Sequence, residues 1–136
     1  MNRPILLGYQ LLTGVSDTST GALLIVVPAL TLRLMHLRAA SDASVYLSFI
    51  GSFVLAVGLS CLYGAFLVFR NGGRTKLEIV WLLTAFIRAS VAIFVIGQVL
   101  VSTLEAGWLT VAAADGACVL IQAIGLRKGW LADAAR

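Results

Sequence analysis

Residues Leu77–Ser102 read LEIVWLLTAFIRASVAIFVIGQVLVS, an almost unbroken apolar run with one charge deep inside it, Arg88. A hydrocarbon core of about 30 Å is crossed by about 20 apolar residues of helix, so the run is long enough to span a bilayer. A lone arginine in such a span is costly, about 3 kcal/mol on insertion scales. The rest of the chain must therefore supply a partner or a polar cavity. Two carboxylates are placed to do so, Asp17 and Asp115, each inside an apolar segment of its own.

The composition agrees. The 136 residues are 60% hydrophobic and 12% charged, whereas soluble domains carry about 25% charged residues. The mean hydropathy is +1.01. A soluble bundle does not contain apolar runs of this length. The formal net charge of +4 does not point to nucleic acid, because the basic residues stand at the ends of apolar segments. There they set topology and meet lipid headgroups. No small-residue cleavage site follows a short apolar region, so the first segment is expected to remain as a signal anchor.

Outward from Arg88, the chain divides into four expected spans, about 5–36, 45–69, 77–102 and 107–126. The first is the longest. As one helix it would reach about 50 Å, so it must tilt, project or break. Pro28 lacks an amide donor and is the expected kink. The alternative is a short interfacial helix followed by a span from Gly21. On a continuous helix Gln10, Thr13, Asp17 and Thr20 share a face, and a polar stripe in a bilayer should face protein or water. In the second span Ala56, Ser60 and Gly64 form a small-xxx-small ridge for close helix packing. The loops 38–44 and 70–76 are polar, the second basic and glycine-containing. In the fourth span Trp108, Asp115 and Gln122 recur every seven residues on one face.

Four spans put both termini on one side. Arg3, Arg70, Arg74, Lys76, Arg127, Lys128 and Arg136 then make seven cations on one face, against Arg33 and Arg38 on the other. That asymmetry places both termini in the cytoplasm. The expected fold is thus an all-α, four-helix transmembrane bundle in a single domain.

Depth can be reckoned from this topology at 1.5 Å per residue. Arg88 lies about 15 Å from Glu78, Asp115 about 18 Å from Arg127, and Asp17 about 21 Å from Arg3. All three fall near the midplane. The expected constellation is an Arg88–Asp115 ion pair faced by Asp17, with Thr84 and Gln122 nearby. It serves either as a ligand-binding pocket or as a buried ion-pair cluster that fixes helix register. Cys61 and Cys118 have no Cys-x-x-Cys spacing and read as small packing residues. His36, the single histidine, reads as a headgroup-level residue. No phosphate loop, nucleophile elbow or metal-ligand spacing is present.

Four segments carry a resemblance: Gly14–Pro28 (GVSDTSTGALLIVVP), Tyr46–Gly64 (YLSFIGSFVLAVGLSCLYG), Trp81–Arg88 (WLLTAFIR), and Trp108–Leu131 with Asp115, Gln122 and GLRKGWL. Together they resemble bacterial DoxX-like small four-helix membrane proteins. The resemblance implies a transmembrane bundle with polar residues inside. It also implies association with quinone-linked oxidoreductases or with membrane-complex assembly, and it transfers no catalytic residue set. The expected function is a non-enzymatic accessory or assembly subunit of a larger respiratory or photosynthetic complex in a bacterial inner membrane. One alternative is a module binding a quinone or other lipid in the Asp17/Thr84/Arg88/Asp115/Gln122 pocket. Another is a small proton-coupled transporter. The bilayer is the expected partner, with other membrane subunits or a second copy of the chain as further candidates and nucleic acid excluded.

Overall fold

The computed structural model describes residues 2–38 and 44–134. The small polar loop through 39–43, and Arg136 of the charge count, lie outside the described residues. The described chain is helical, with no strand: α1 (Arg3–Val26), α2 (Pro28–Leu34), α3 (Ser44–Phe69), α4 (Arg74–Leu100), a 3-10 turn (Ala106–Trp108) leading into α5 (Leu109–Arg127), and α6 (Trp130–Ala134). Three helices, Ser44–Phe69, Arg74–Leu100 and Ala106–Arg127, are each long and apolar enough to cross a membrane. Their outward faces expose Phe53, Phe86, Ile93, Leu100 and Leu120. Apolar exposure on this scale is what a lipid solvent requires and water penalises.

The first segment is two helices, and the break has a local cause. α1 runs straight through Ser16–Thr20 and stops at Val27, where φ is −139° and Pro28 opens α2. Proline disfavours the helical region for the residue before it and cannot donate to the fourth carbonyl back. That carbonyl, Leu24 O, accepts from the Ser48 hydroxyl at 3.4 Å, and Ile25 O does so at 3.2 Å. A side chain of α3 thus meets the backbone groups that Pro28 frees.

α1 packs most extensively on α3, and α4 on α5, while α3 and α4 share a narrower contact. The α1–α3 seam is made of glycines. A Cβ on Gly51 would lie 2.8 Å from Leu24 Cβ and 2.9 Å from Gly21 O; one on Gly58 would fall on the Thr18 backbone and 2.9 Å from the Asp17 carbonyl carbon. Lipid tails are as apolar as leucine, so helices in a membrane associate by close packing and polar contacts, and absent side chains let backbones approach. The residues of α3 that let α1 approach are therefore Gly51, Gly58 and Gly64; of the expected Ala56–Ser60–Gly64 line, Gly64 lies against Gln10 of α1 and Ala56 is exposed.

Both ends of the bundle are closed by apolar side chains. At the end carrying Arg3, Arg70, Arg74 and Arg127, residues Leu6, Leu67, Val68, Leu77 and Leu131 pack together with Trp81. Leu131 comes from α6, which Gly129, in the left-handed region at φ +66°, turns back under the bundle. Arg3 secures this end by donating to the Val68 and Phe69 carbonyls at 3.1 and 2.9 Å, among the last carbonyls of α3. At the opposite end Leu32, Leu37 and Leu47 pack against Met35 and Trp108, and Ala92, Val95 and Ala112 also meet Trp108.

Candidate functional site

Between these two apolar caps the interior is polar and layered. Residues seven apart on each long helix fall at successive levels: Gln10, Asp17 and Leu24 on α1; Gly51, Gly58 and Ala65 on α3; Trp81, Arg88 and Val95 on α4; Trp108, Asp115 and Gln122 on the last span. A seven-residue repeat keeps one face toward its neighbours along a shallow crossing. Because neighbours run antiparallel, Asp17 and Gly58 stand level with each other, as do Leu24 and Gly51.

The middle layer is charged. Arg88 Nη1 donates to Asp115 Oδ1 at 2.6 Å, and Arg88 Nη2 donates to Asp17 Oδ2. The Arg88 side chain is 6% exposed, against 20% and 15% for the two carboxylates. The planar fork of a guanidinium suits it to this bridge, which no lysine could span in the same way. α1 and α5 are thereby tied through α4. One guanidinium faces two carboxylates, a formal surplus of one negative charge in a largely buried site. Cys61, 1% exposed, stands beside Arg88 and Thr13. Cys118 of α5 faces the Tyr9 hydroxyl. Both thiols are free.

The next layer, toward the end that holds Arg3, is polar and neutral. Gln122 Nε2 donates to Thr84 Oγ1 at 2.8 Å, and Thr84 in turn donates to Val80 O at 2.8 Å. Tyr9 and Trp81 stack at a tilt, with ring centroids 5.5 Å apart. Gln10 lies against Gly64, and the Trp81 ring against Gly125, where a Cβ would be 2.5 Å from the indole. Gln10 is 1% exposed, Trp81 and Gln122 are at 0%. Yet Gln10 Nε2 and Oε1, Trp81 Nε1, Tyr9 Oη and Gln122 Oε1 have no hydrogen-bond partner among the described residues, and neither do Arg88 Nε of the charged layer and Thr18 Oγ1 on the α1–α3 seam. Buried polar groups in native proteins are nearly always paired, so this concentration marks a site.

The polar interior approaches the outside sideways. A groove of about 410 Å³ runs between α3 and α4, lined by Leu59, Ser60, Tyr63, Val80, Leu83, Thr84 and Ile87. Thr84 belongs both to this groove and to the Gln122 hydrogen bond. A second groove, of about 320 Å³ between α4 and α5, is lined only by apolar residues and glycine.

Of the five residues singled out from the sequence, Asp17, Arg88 and Asp115 form one layer, and Thr84 and Gln122 meet in the next. Tyr9, Gln10 and Trp81 lie in the same neutral layer as Gln122; of these only Gln10, in the polar stripe, is marked by the sequence reading. The signal that finds them is the seven-residue recurrence seen at 108, 115 and 122, extended to 10, 17 and 24 and to 81, 88 and 95. No set of three or more metal-ligating side chains occurs among the described residues.

Compared with family models, curated proteins and solved structures, the chain matches none. The DoxX-like resemblance is carried by the four quoted segments alone.

Proposed function

We propose that the chain is a DoxX-like protein crossing a bacterial cytoplasmic membrane four times, with both termini in the cytoplasm, and that it binds a quinone or other lipid-like small molecule in the interior polar chamber. One observation carries the binding role: unpartnered, fully buried polar atoms lie between two apolar caps, next to a lateral groove whose lining includes Thr84. Ligand sites are concave and mostly apolar, with a few fixed polar groups, and have volumes of about 300–1,000 Å³. A molecule already dissolved in the bilayer reaches such a chamber without crossing either cap. The same caps weigh against a proton-coupled transporter, which needs an aqueous path to each side.

An accessory or assembly role in a larger membrane complex is supported by a different observation. The connections Arg70–Gly73 and Val101–Glu105 are short, so little of the described chain projects beyond the helices. The two roles are compatible, since a subunit can also hold a ligand.

The binding role is tested by native mass spectrometry of protein extracted with its surrounding lipids. The expected species is a monomer, dimer or subunit retaining one lipid-soluble molecule per chain, lost in Gln122→Leu. A chain with no retained molecule, whether free or in a complex, contradicts it. Topology is tested separately with single cysteines placed in a Cys61→Ala/Cys118→Ala background. An impermeant maleimide applied to intact cells should label His36→Cys and spare Asn71→Cys until the cells are permeabilised. The reverse pattern overturns the cytoplasmic termini.

A further inference from the structure

We infer that the neutral layer formed by Tyr9, Gln10, Trp81 and Gln122 is a head-group subsite for an uncharged single-chain amphiphile. Its head carries both a hydrogen-bond acceptor and a hydroxyl donor, and its hydrocarbon chain lies in the α3/α4 groove. The inference rests on the chamber-binding role proposed above and specifies the ligand.

The unpartnered atoms define the head. Within the neutral layer three groups donate, the Gln10 carboxamide nitrogen, the Trp81 indole nitrogen and the Tyr9 hydroxyl, with Arg88 Nε a further unpartnered donor in the charged layer beside it. Two carboxamide oxygens accept, from Gln10 and Gln122. A ligand that satisfies this set must both accept and donate. An ammonium offers donors only and would leave the indole and carboxamide N–H groups unpaired. A carboxylate or phosphate would find only Arg88 Nε unpartnered, because both terminal nitrogens are held by Asp17 and Asp115, and those two carboxylates already outnumber the one guanidinium. It would also enter a chamber whose neighbouring layer already has surplus negative charge, where like charges repel strongly. An uncharged head with a carbonyl or ether oxygen beside a hydroxyl meets both halves of the set.

The groove defines the rest of the molecule. Thr84 links it to Gln122, and its other lining residues are apolar apart from Ser60 and the Tyr63 hydroxyl. A chain lying there continues into the bilayer, and the head turns inward past Thr84.

Three probes that share an oleyl-type chain separate head-group chemistry from chain binding: 1-oleoylglycerol (neutral), oleic acid above its titration range (anionic) and oleylamine (cationic). Each is added to the purified full chain in phosphatidylcholine nanodiscs, and the shift in melting temperature is read against concentration. The expected result is a saturable upward shift with 1-oleoylglycerol alone. Trp81→Phe keeps most of the ring and removes the indole donor, and Gln122→Leu removes an acceptor. Each should weaken the 1-oleoylglycerol effect about tenfold, as the loss of a buried hydrogen bond does. If Gln122→Leu fails to fold, Trp81→Phe carries the test. Stabilisation by oleate or oleylamine but not by 1-oleoylglycerol overturns the head-group assignment and leaves chamber binding standing. An equal 1-oleoylglycerol effect in the folded variants places binding elsewhere and overturns the subsite. No shift with any probe overturns the subsite and the chamber role together.

Discussion

Arg88→Leu is expected to prevent stable folding, and the triple variant Arg88→Leu/Asp17→Asn/Asp115→Asn to recover much of what is lost. The single substitution leaves two carboxylates facing each other across the bundle with no cation between them. Breaking a buried ion pair by removing one partner costs about 3–5 kcal/mol, because the remaining charge stays buried and unpaired. That is a large share of a typical stability of about 5–15 kcal/mol. Neutralising all three groups removes the unpaired charge, and replacing buried ionic sets by neutral residues is often tolerated. Asp115→Asn alone should be milder. It exchanges a charge-assisted hydrogen bond for a weaker one, a loss of about 1–2 kcal/mol. Circular-dichroism melting in one detergent reads all three. An Arg88→Leu melting temperature equal to the parent's would remove the charged layer from the account of stability, as would an unchanged Asp115→Asn for its own half of the bridge.

The second large effect is expected at Gly58. Gly58→Val would drive a branched side chain into the Thr18 backbone and the carbonyl carbon of Asp17. Backbone cannot rotate aside as a side-chain tip can, so α1 must move off α3. Overpacking of well-packed sites typically costs about 1–3 kcal/mol. Here the cost should reach the upper part of that range, because the displaced segment carries Asp17 and so also disturbs the bridge to Arg88. Gly97 and Gly116 are the controls: nothing lies within 4 Å of a Cβ at either position. Gly97→Ala should leave the melting temperature unchanged or raise it slightly, since alanine is the better helix former by about 1 kcal/mol. If Gly58→Val melts like Gly97→Ala, the α1–α3 seam is not the close contact described.

How much of this was legible in the sequence follows from what each signal costs. The apolar helices over Ser44–Phe69 and Arg74–Leu100 could be read directly, because a run of apolar residues has few other uses. Arg88, Asp17 and Asp115 stood out because a charge in such a run is expensive and needs a reason. For the break of the first segment the sequence offers Pro28 or a separate span starting at Gly21. The helix continues through Ser16–Thr20 because Thr18 and Asp17 pack against Gly58, and it breaks at Val27–Pro28. On α3 the expected small-residue line meets α1 only at Gly64, and the contacts at Gly51 and Gly58 are hard to read because small residues abound there. Tyr9, Gln10 and Trp81 were hidden by their type. An aromatic or amide residue suits an interface, a packing site and a polar chamber equally well, and only its neighbours decide. α6 lies beyond the four expected spans, since nothing local shows that Leu131 turns back beneath Leu6 and Trp81.

Binding as proposed requires a polar interior closed to water at both ends and reached from the bilayer. Trp81 is fully buried in the neutral polar layer with its indole nitrogen unpartnered, so its fluorescence reports on what reaches that layer. In a Trp108→Phe/Trp130→Phe background reconstituted in vesicles, Trp81 emission should be quenched saturably by a brominated single-chain amphiphile. Iodide, present on both sides, should leave it unchanged. Quenching by iodide with no effect of the brominated amphiphile would show an aqueous cavity instead, and would contradict both the sealed ends and the lateral route.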